Sequence, residues 1–204
     1  MRKALIAAGL VLSTAIALPL VAPVVAQGTS AVSNVTGGHY TVDSAHTQVV
    51  WKVNHLGFND YFGLFGDATG MLMLDPKNPA AASVEIEIPI ASIATSSQGL
   101  TDHLKKPEFF DIAKFDKATF KSTSVVVDGT KAKITGDLTI KGVTKPVVLD
   151  AEFTGAGPHP MNKKENIGFE AETKIKRSDF GVSYGIPMVP DEVELEISVA
   201  FQKG

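Results

Sequence analysis

Five histidines and no cysteine limit the chemistry open to this chain. His46 and His55 lie nine residues apart and differ in strand parity, so they cannot share one face of a regular strand. His103 falls in a separate segment that reads as helical. No H-x-H, H-E-x-x-H or carboxylate-rich grouping accompanies them, so a metal site of ordinary spacing is not expected. Thiolate nucleophiles and cysteine-ligated metals are excluded by composition. Arg177-Ser178-Asp179 follows a strand. It reads as a corner ion pair that fixes a loop, with an entrance contact to a ligand head group as the alternative. Asp43, ahead of Ser44-Ala45-His46, reads likewise as turn chemistry through its side chain. General acid–base catalysis needs a positioned partner within hydrogen-bond reach, and no obvious pair is present. A non-enzyme is expected; the alternative is an enzyme with His55 as base and Arg177 as anion holder.

The elements that would position these residues are strands. From Gln48 to Asn54, Val49, Trp51 and Val53 point one way while Gln48, Lys52 and Asn54 point the other. The same alternation predicts strands at 39–43, 46–54, 62–75, 83–90, 118–128, 131–141, 146–154, 167–176 and 192–202. Glycines inside the 62–75 stretch predict bends or close backbone approach. Asp128-Gly129 and Lys141-Gly142 are hairpin turn signals. One helical insertion is expected between Ser96 and Phe110, capped by Ser96 or Ser97 and stopped by Pro107. Strands with one apolar face must bury it. An all-β fold of about eight antiparallel strands is expected, as a closed barrel rather than a sandwich, because the strands are long and carry internal glycines.

The first 26 residues read differently. Arg2 and Lys3 precede an apolar run, and Val24-Val25-Ala26 offers a cleavage site, which is the pattern of a secretory signal peptide. Losing Arg2 and Lys3 with the leader lowers the formal net charge from −3 to −5. An acidic chain without a basic patch argues against nucleic acid as a partner. Residues 27–38 are small, polar and aperiodic and read as a disordered linker before a single domain at 39–204. An exported domain without disulfides fits the bacterial periplasm.

Several motifs follow one another in a distinctive order: D-x-x-H-T-x-V-x-W-x-V-x-H-x-G at 43–57, F-G-L-F at 62–65, and H-L-x-x-x-x-F-F-D at 103–111. F-D-K-A-T-F-K-S follows at 115–122, G-D-L-T-I-K-G-V-T-K-P-V at 136–147, and G-F-x-A-x-T-x-I-x-R-S-D-F-G at 168–181. In these the chain resembles the YceI-like family of exported, polyisoprenoid-binding proteins, from about Tyr40 to Phe201. The resemblance implies an eight-stranded antiparallel, lipocalin-like barrel with a long apolar pore. It implies no cofactor, and a long-chain polyisoprenoid or isoprenoid quinone-like lipid as ligand, carried or stored in the periplasm. Many relatives have a charged pair just before the H-L motif; here Leu100 and Thr101 stand there.

Barrels of eight strands can enclose one small ligand. The candidate wall consists of same-parity apolar residues: Val49, Trp51, Val53, Ile86, Ile88, Leu138, Leu149, Phe153, Phe169 and Ile175. Phe58, Phe62, Phe65, Phe109, Phe110 and Phe180 are candidates to close one mouth. Each of these side chains would serve equally in a solid core, and the resemblance shifts the group toward pocket lining. His55 shares parity with Val53 and is the polar candidate for a head-group contact. Transient membrane contact, and either a monomer or a homodimer, fit this reading. A ligand-free structural protein with a filled barrel is a further alternative.

Overall fold

The computed structural model describes residues 28–204, so the expected leader lies outside the described residues. The strands are β1 (Gly38–Val42), β2 (Gln48–His55), β3 (Asn59–Phe65), β4 (Thr69–Leu74), β5 (Ser83–Pro89), β6 (Ala94–Thr95), β7 (Lys117–Asp128), β8 (Lys131–Ile140), β9 (Val143–Pro158), β10 (Glu165–Lys176) and β11 (Glu192–Lys203); the helix is α1 (Gln98–Leu104).

Three pairs of these strands are single staves with a kink. β1 and β2 both run antiparallel along β11, with Val42 opposite Phe201 and Gln48 opposite Ser198. A 3-10 turn at Ser44–His46 bends the stave between them. β3 pairs with β2 while β4 pairs with β1. The expected strand at 62–75 is therefore two pieces, broken at 66–68, where Asp67 takes a positive φ of 53°. β5 and β6 form the third stave, bent at Ile90–Ser92. β7 to β11 follow as antiparallel neighbours, and β11 returns to β1. The result is the closed eight-stave antiparallel barrel the alternation predicts.

The barrel has one gap. β6 pairs with β3 and has no partnership with β7, and the helical insertion falls in the chain between them. Ser97 caps α1 by accepting a hydrogen bond from the Leu100 amide at 3.4 Å. Thr101 is buried, and its hydroxyl accepts from the Thr95 amide at 3.0 Å, which ties α1 to β6.

Burial is uneven along the barrel axis. At the end holding residues 28–38, the C-terminal end of β11 and the 129–130 hairpin, Tyr40, Leu72, Phe153, Ile167 and Phe201 form a core, with Ile86 and Phe169 against it. Tyr40 is fully buried there. This plug means the pore does not run the length of the barrel. Residues 28–38, which fall in the segment read as a linker, pack against it. Thr29 and Ala156 exchange two backbone hydrogen bonds of 2.9 Å, and Val35 is buried in the same core. Apolar packing of one valine and one bridged threonine gives an aperiodic segment its order.

A polar clasp closes this end. The Glu165 carboxylate accepts from the Thr36 amide at 2.8 Å, from the Thr36 hydroxyl, and from Tyr40 Oη at 2.9 Å. Burial alone would raise the Glu165 carboxyl, but the Thr36 and Tyr40 hydrogen bonds and the Lys203 charge hold it below its ordinary 4.5. A depressed folded-state value means the stabilisation is complete above the unfolded value and is lost as pH falls through the folded one. The urea midpoint of the wild type is expected to fall as pH drops below 4.5, with Glu165→Gln showing a shallower decline over the same window. Identical pH slopes for the two proteins would remove Glu165 from this role.

Candidate functional site

The other half of the barrel is hollow. A cavity of about 610 Å³ opens at the end formed by the β2–β3 hairpin, the helical insertion and the 177–191 loop. This size is typical of pockets that enclose a small organic ligand. Its walls are β2, β8 and β11 side chains together with the insertion, which supplies Leu100, Leu104, Phe109 and Phe110, and Ile93 packs behind Trp51 and Leu104. Trp51 lies flat across Gly63, its cross-strand partner, and a Cβ at position 63 would stand 2.2 Å from the indole. The glycine thus permits the close approach that shapes this wall. Trp51 also stacks on Tyr61 with ring centroids 6.3 Å apart. Its indole Nε1 is buried and has no hydrogen-bond partner among the described residues.

The structure places Val49, Trp51, Val53, His55, Phe65, Ile88, Phe109, Leu138, Ile175 and Phe180 on the cavity wall, with Phe110 beside them. Six candidates lie elsewhere. Ile86, Phe153 and Phe169 share the expected parity but sit in the plug, where the Phe153 and Phe169 rings meet at 5.8 Å. Leu149 is half-buried on β9, opposite Ile134 and away from the cavity wall. Phe62 pairs with Lys52 on the outer face of the barrel and is exposed. Phe58 is 84 % exposed at the hairpin tip, outside the cavity. Parity reports which face of a strand a residue occupies; height along the barrel depends on the stagger between strands, which periodicity does not carry.

Polar groups collect at the open end. His55 and Asn59 face each other across the β2–β3 pair, and both are exposed. His103 bonds Glu108 at 3.0 Å, and its ring edge meets Phe109 and Tyr184 at 4.9 and 5.4 Å. His46, by contrast, bonds Asp43 at 2.8 Å on the surface, as the turn reading expects.

Arg177 is the main departure from the sequence reading. It is buried rather than a surface corner residue. Its guanidinium donates to the carbonyls of Pro190, Val182, Tyr184 and Val189 at 2.8–3.1 Å. The acid in this corner is Asp191, which accepts from the Ser178 amide and hydroxyl at 2.8 and 2.7 Å, while Asp179 is exposed. Burial pulls the guanidinium pKa down and the Asp191 charge opposes that shift. One side chain thereby organises the loop that supplies Val182, Tyr184, Gly185, Met188 and Val189 to the cavity. That loop has no periodicity, so the sequence gives no sign of its place in the wall. Arg177 is also the single cationic side chain lining the cavity among the described residues.

A family model described as the YceI-like domain matches residues 40–201. The chain belongs to the YceI family. Protein YceI of Salmonella enteritidis is 43 % identical over 162 residues, which is 78 % of this chain and 84 % of the relative. The crystal structure of Campylobacter jejuni YceI superposes with a TM-score of 0.65 at 35 % identity, over 75 % of this chain and 91 % of that one. Burkholderia cenocepacia BcnA gives a TM-score of 0.70 at 26 % identity, over 78 % and 98 %. A polyisoprenoid-binding domain from Saccharophagus degradans shares the fold, with a TM-score of 0.64 at 12 % identity, over 81 % and 98 %. The YceI barrel is thus a recurrent frame. In this YceI chain the half left open carries the candidate site. Among the described residues, no three His, Asp or Glu side chains come together as a metal site.

Proposed function

We propose that this protein binds one long-chain isoprenoid amphiphile, a polyisoprenoid or an isoprenoid quinone, and carries or stores it in the periplasm after cleavage of the leader. The observation that carries this reading is the division of the cavity: an apolar interior with its free polar groups gathered at the mouth. The tail occupies the space between Val49, Trp51, Leu138 and Ile175, and the head lies by His55, Asn59, His103 and Tyr184. The family membership and the polyisoprenoid binding of the Saccharophagus domain support the choice of ligand. The head is uncharged, because Arg177 commits its donors to four carbonyls and no other cation lines the cavity among the described residues.

Energetics favour a carrier over a sink. Each buried CH₂ is worth about 0.8 kcal/mol against water, so a long prenyl chain would pass the practical affinity ceiling if water were its alternative. In a cell the alternative is a bilayer, which is equally apolar, so the cavity need only match the membrane to exchange its ligand. The β2 wall from Val49 to His55 rises roughly 15 Å along a tilted stave, about one leaflet of hydrocarbon, so the far end of a longer chain bends or emerges at the mouth. An enzymatic reading finds less support. Among the described residues His55 has no carboxylate partner to orient it, and Arg177 spends its hydrogen bonds on backbone carbonyls.

The test is uptake. Delipidated protein is expected to extract a prenyl alcohol or quinone from vesicles at one per chain, and extraction of none contradicts the proposal. His55→Ala is expected to weaken retention of a ligand with a polar head by about tenfold and to leave a headless prenyl hydrocarbon unaffected. Equal retention of both would remove His55 from head-group contact.

A further inference from the structure

The mouth of the cavity is rimmed by side chains that water disfavours. The hairpin tip between β2 and β3 presents Leu56 and Phe58, and the loop held by Arg177 presents Tyr184 and Met188. Phe58 is 84 % exposed and Met188 69 %, while Tyr184 and Leu56 are 55 % and 44 % exposed. Leu56, Tyr184 and Met188 also line the cavity, so apolar side chains run from the interior past the polar groups at the mouth to the outside.

The hairpin spends strain to make this presentation. Leu56 has a φ of 58°, followed by Gly57 at 79°. Glycine, asparagine or aspartate is the ordinary occupant of such a position, and a bulky apolar residue there is uncommon. The turn is also braced. The Asn54 carboxamide accepts from the Gly57 amide at 2.7 Å and donates to Asp60 at 3.2 Å, and the Phe58 amide donates to His55 at 3.0 Å. A fixed tip therefore holds a leucine and a phenylalanine beside the opening.

We propose that this rim is a membrane-docking face: Phe58, Leu56, Met188 and Tyr184 enter the boundary between head groups and acyl chains, and the ligand passes between bilayer and cavity without crossing water. The inference rests on the lipid-binding reading above and names the surface through which exchange occurs. Tyrosine with an apolar body and a polar tip suits that boundary. The four exposed side chains offer on the order of 500 Å², short of the roughly 800 Å² per partner that a stable dimer buries, so a second copy fits the rim less well. The chain is net acidic, so docking is by insertion and is insensitive to salt and to anionic lipid.

Two measurements test this on the full mature chain. With Phe58→Trp, brominated acyl chains in neutral phosphatidylcholine vesicles are expected to quench the introduced indole; absence of quenching at saturating vesicle overturns docking. With Phe58→Ser, which lies outside the cavity, capture of retinol added from ethanol is expected to stay within about twofold of wild type. Its capture from vesicles is expected to slow about tenfold, the order expected from losing one inserted phenyl ring. Unchanged capture from vesicles overturns the proposal. So does sedimentation of the wild type at twice the chain mass that Phe58→Ser reverts, which assigns the rim to a second copy. Failure of the wild type to take retinol from ethanol would count against the cavity reading, while the quenching result still decides docking.

Discussion

Arg177→Ala is expected to lower the unfolding free energy by about 3–5 kcal/mol and the melting temperature by roughly 10 °C. The guanidinium is buried and donates to four carbonyls within residues 182–190, a segment without regular structure. Removing it leaves those carbonyls short of donors, and each buried unsatisfied group costs about 1–3 kcal/mol unless water reaches it. Water entering from the cavity recovers part of that cost, which keeps the total below the sum of four losses. Arg177→Lys is expected to restore only part of the stability, because an ammonium is a compact point donor and cannot span the fork. Ligand capture falls with the alanine change too, since the released loop contributes Val182, Tyr184 and Met188 to the cavity. A melting temperature within about 2 °C of wild type for Arg177→Ala would show that the loop holds itself.

The second expected result separates the two halves of the barrel. Phe153→Ala removes a ring from the plug, where it meets Phe169 and packs near Phe201, and is expected to cost about 3–5 kcal/mol without changing ligand affinity below the melting transition. Leu138→Trp adds bulk to a wall that faces open space, so stability is expected to change by less than about 1.5 kcal/mol. Affinity measured from solution drops, because displacing even two methylenes at about 0.8 kcal/mol each amounts to about a tenfold loss. If both substitutions altered stability and binding together, the division into a dry plug and a receiving cavity would be wrong.

Much of the frame is legible in the residues. The alternation of Val49, Trp51 and Val53 places those side chains on the inner face of β2, where the structure has them on the cavity wall. Lys141 and Gly142 form their turn with φ of 51° and 75°, as the dipeptide signal indicates. Ser97 caps the helix that Pro107 follows. Height along the barrel is a different matter. Phe153 and Trp51 carry the same signal, one apolar residue in an alternating run, yet the first closes the floor and the second walls the chamber. Only the stagger between strands distinguishes them. Arg177 is hidden for another reason: its partners are backbone carbonyls, which every residue offers, so no side-chain type downstream announces the contact. Val35 and Thr29 show the same limit in the N-terminal segment, where order comes from distant strands rather than from local pattern.

The charges follow a simpler rule. Lys52 with Glu194, Lys121 with Glu85 and Lys174 with Glu194 pair across neighbouring strands on the outer face, at 2.5, 2.6 and 3.0 Å. Such exposed pairs contribute about 0–1 kcal/mol each, and their main effect is to keep the outside of the barrel wet and the register fixed. Stability is therefore expected to rest on the plug and on the Arg177 corner, and the proposed ligand binding on the chamber between them and the mouth.

Native mass spectrometry of the full protein, purified without detergent from cells that make it, tests the central claim most directly. One non-covalent ligand per chain is expected, with masses spaced by isoprene units if several chain lengths are carried, and with occupancy lowered in Leu138→Trp while Phe153→Ala retains it. A protein that flies bare, and that stays bare after incubation with vesicles containing prenyl alcohols and quinones, would contradict the proposal that this cavity holds an isoprenoid lipid.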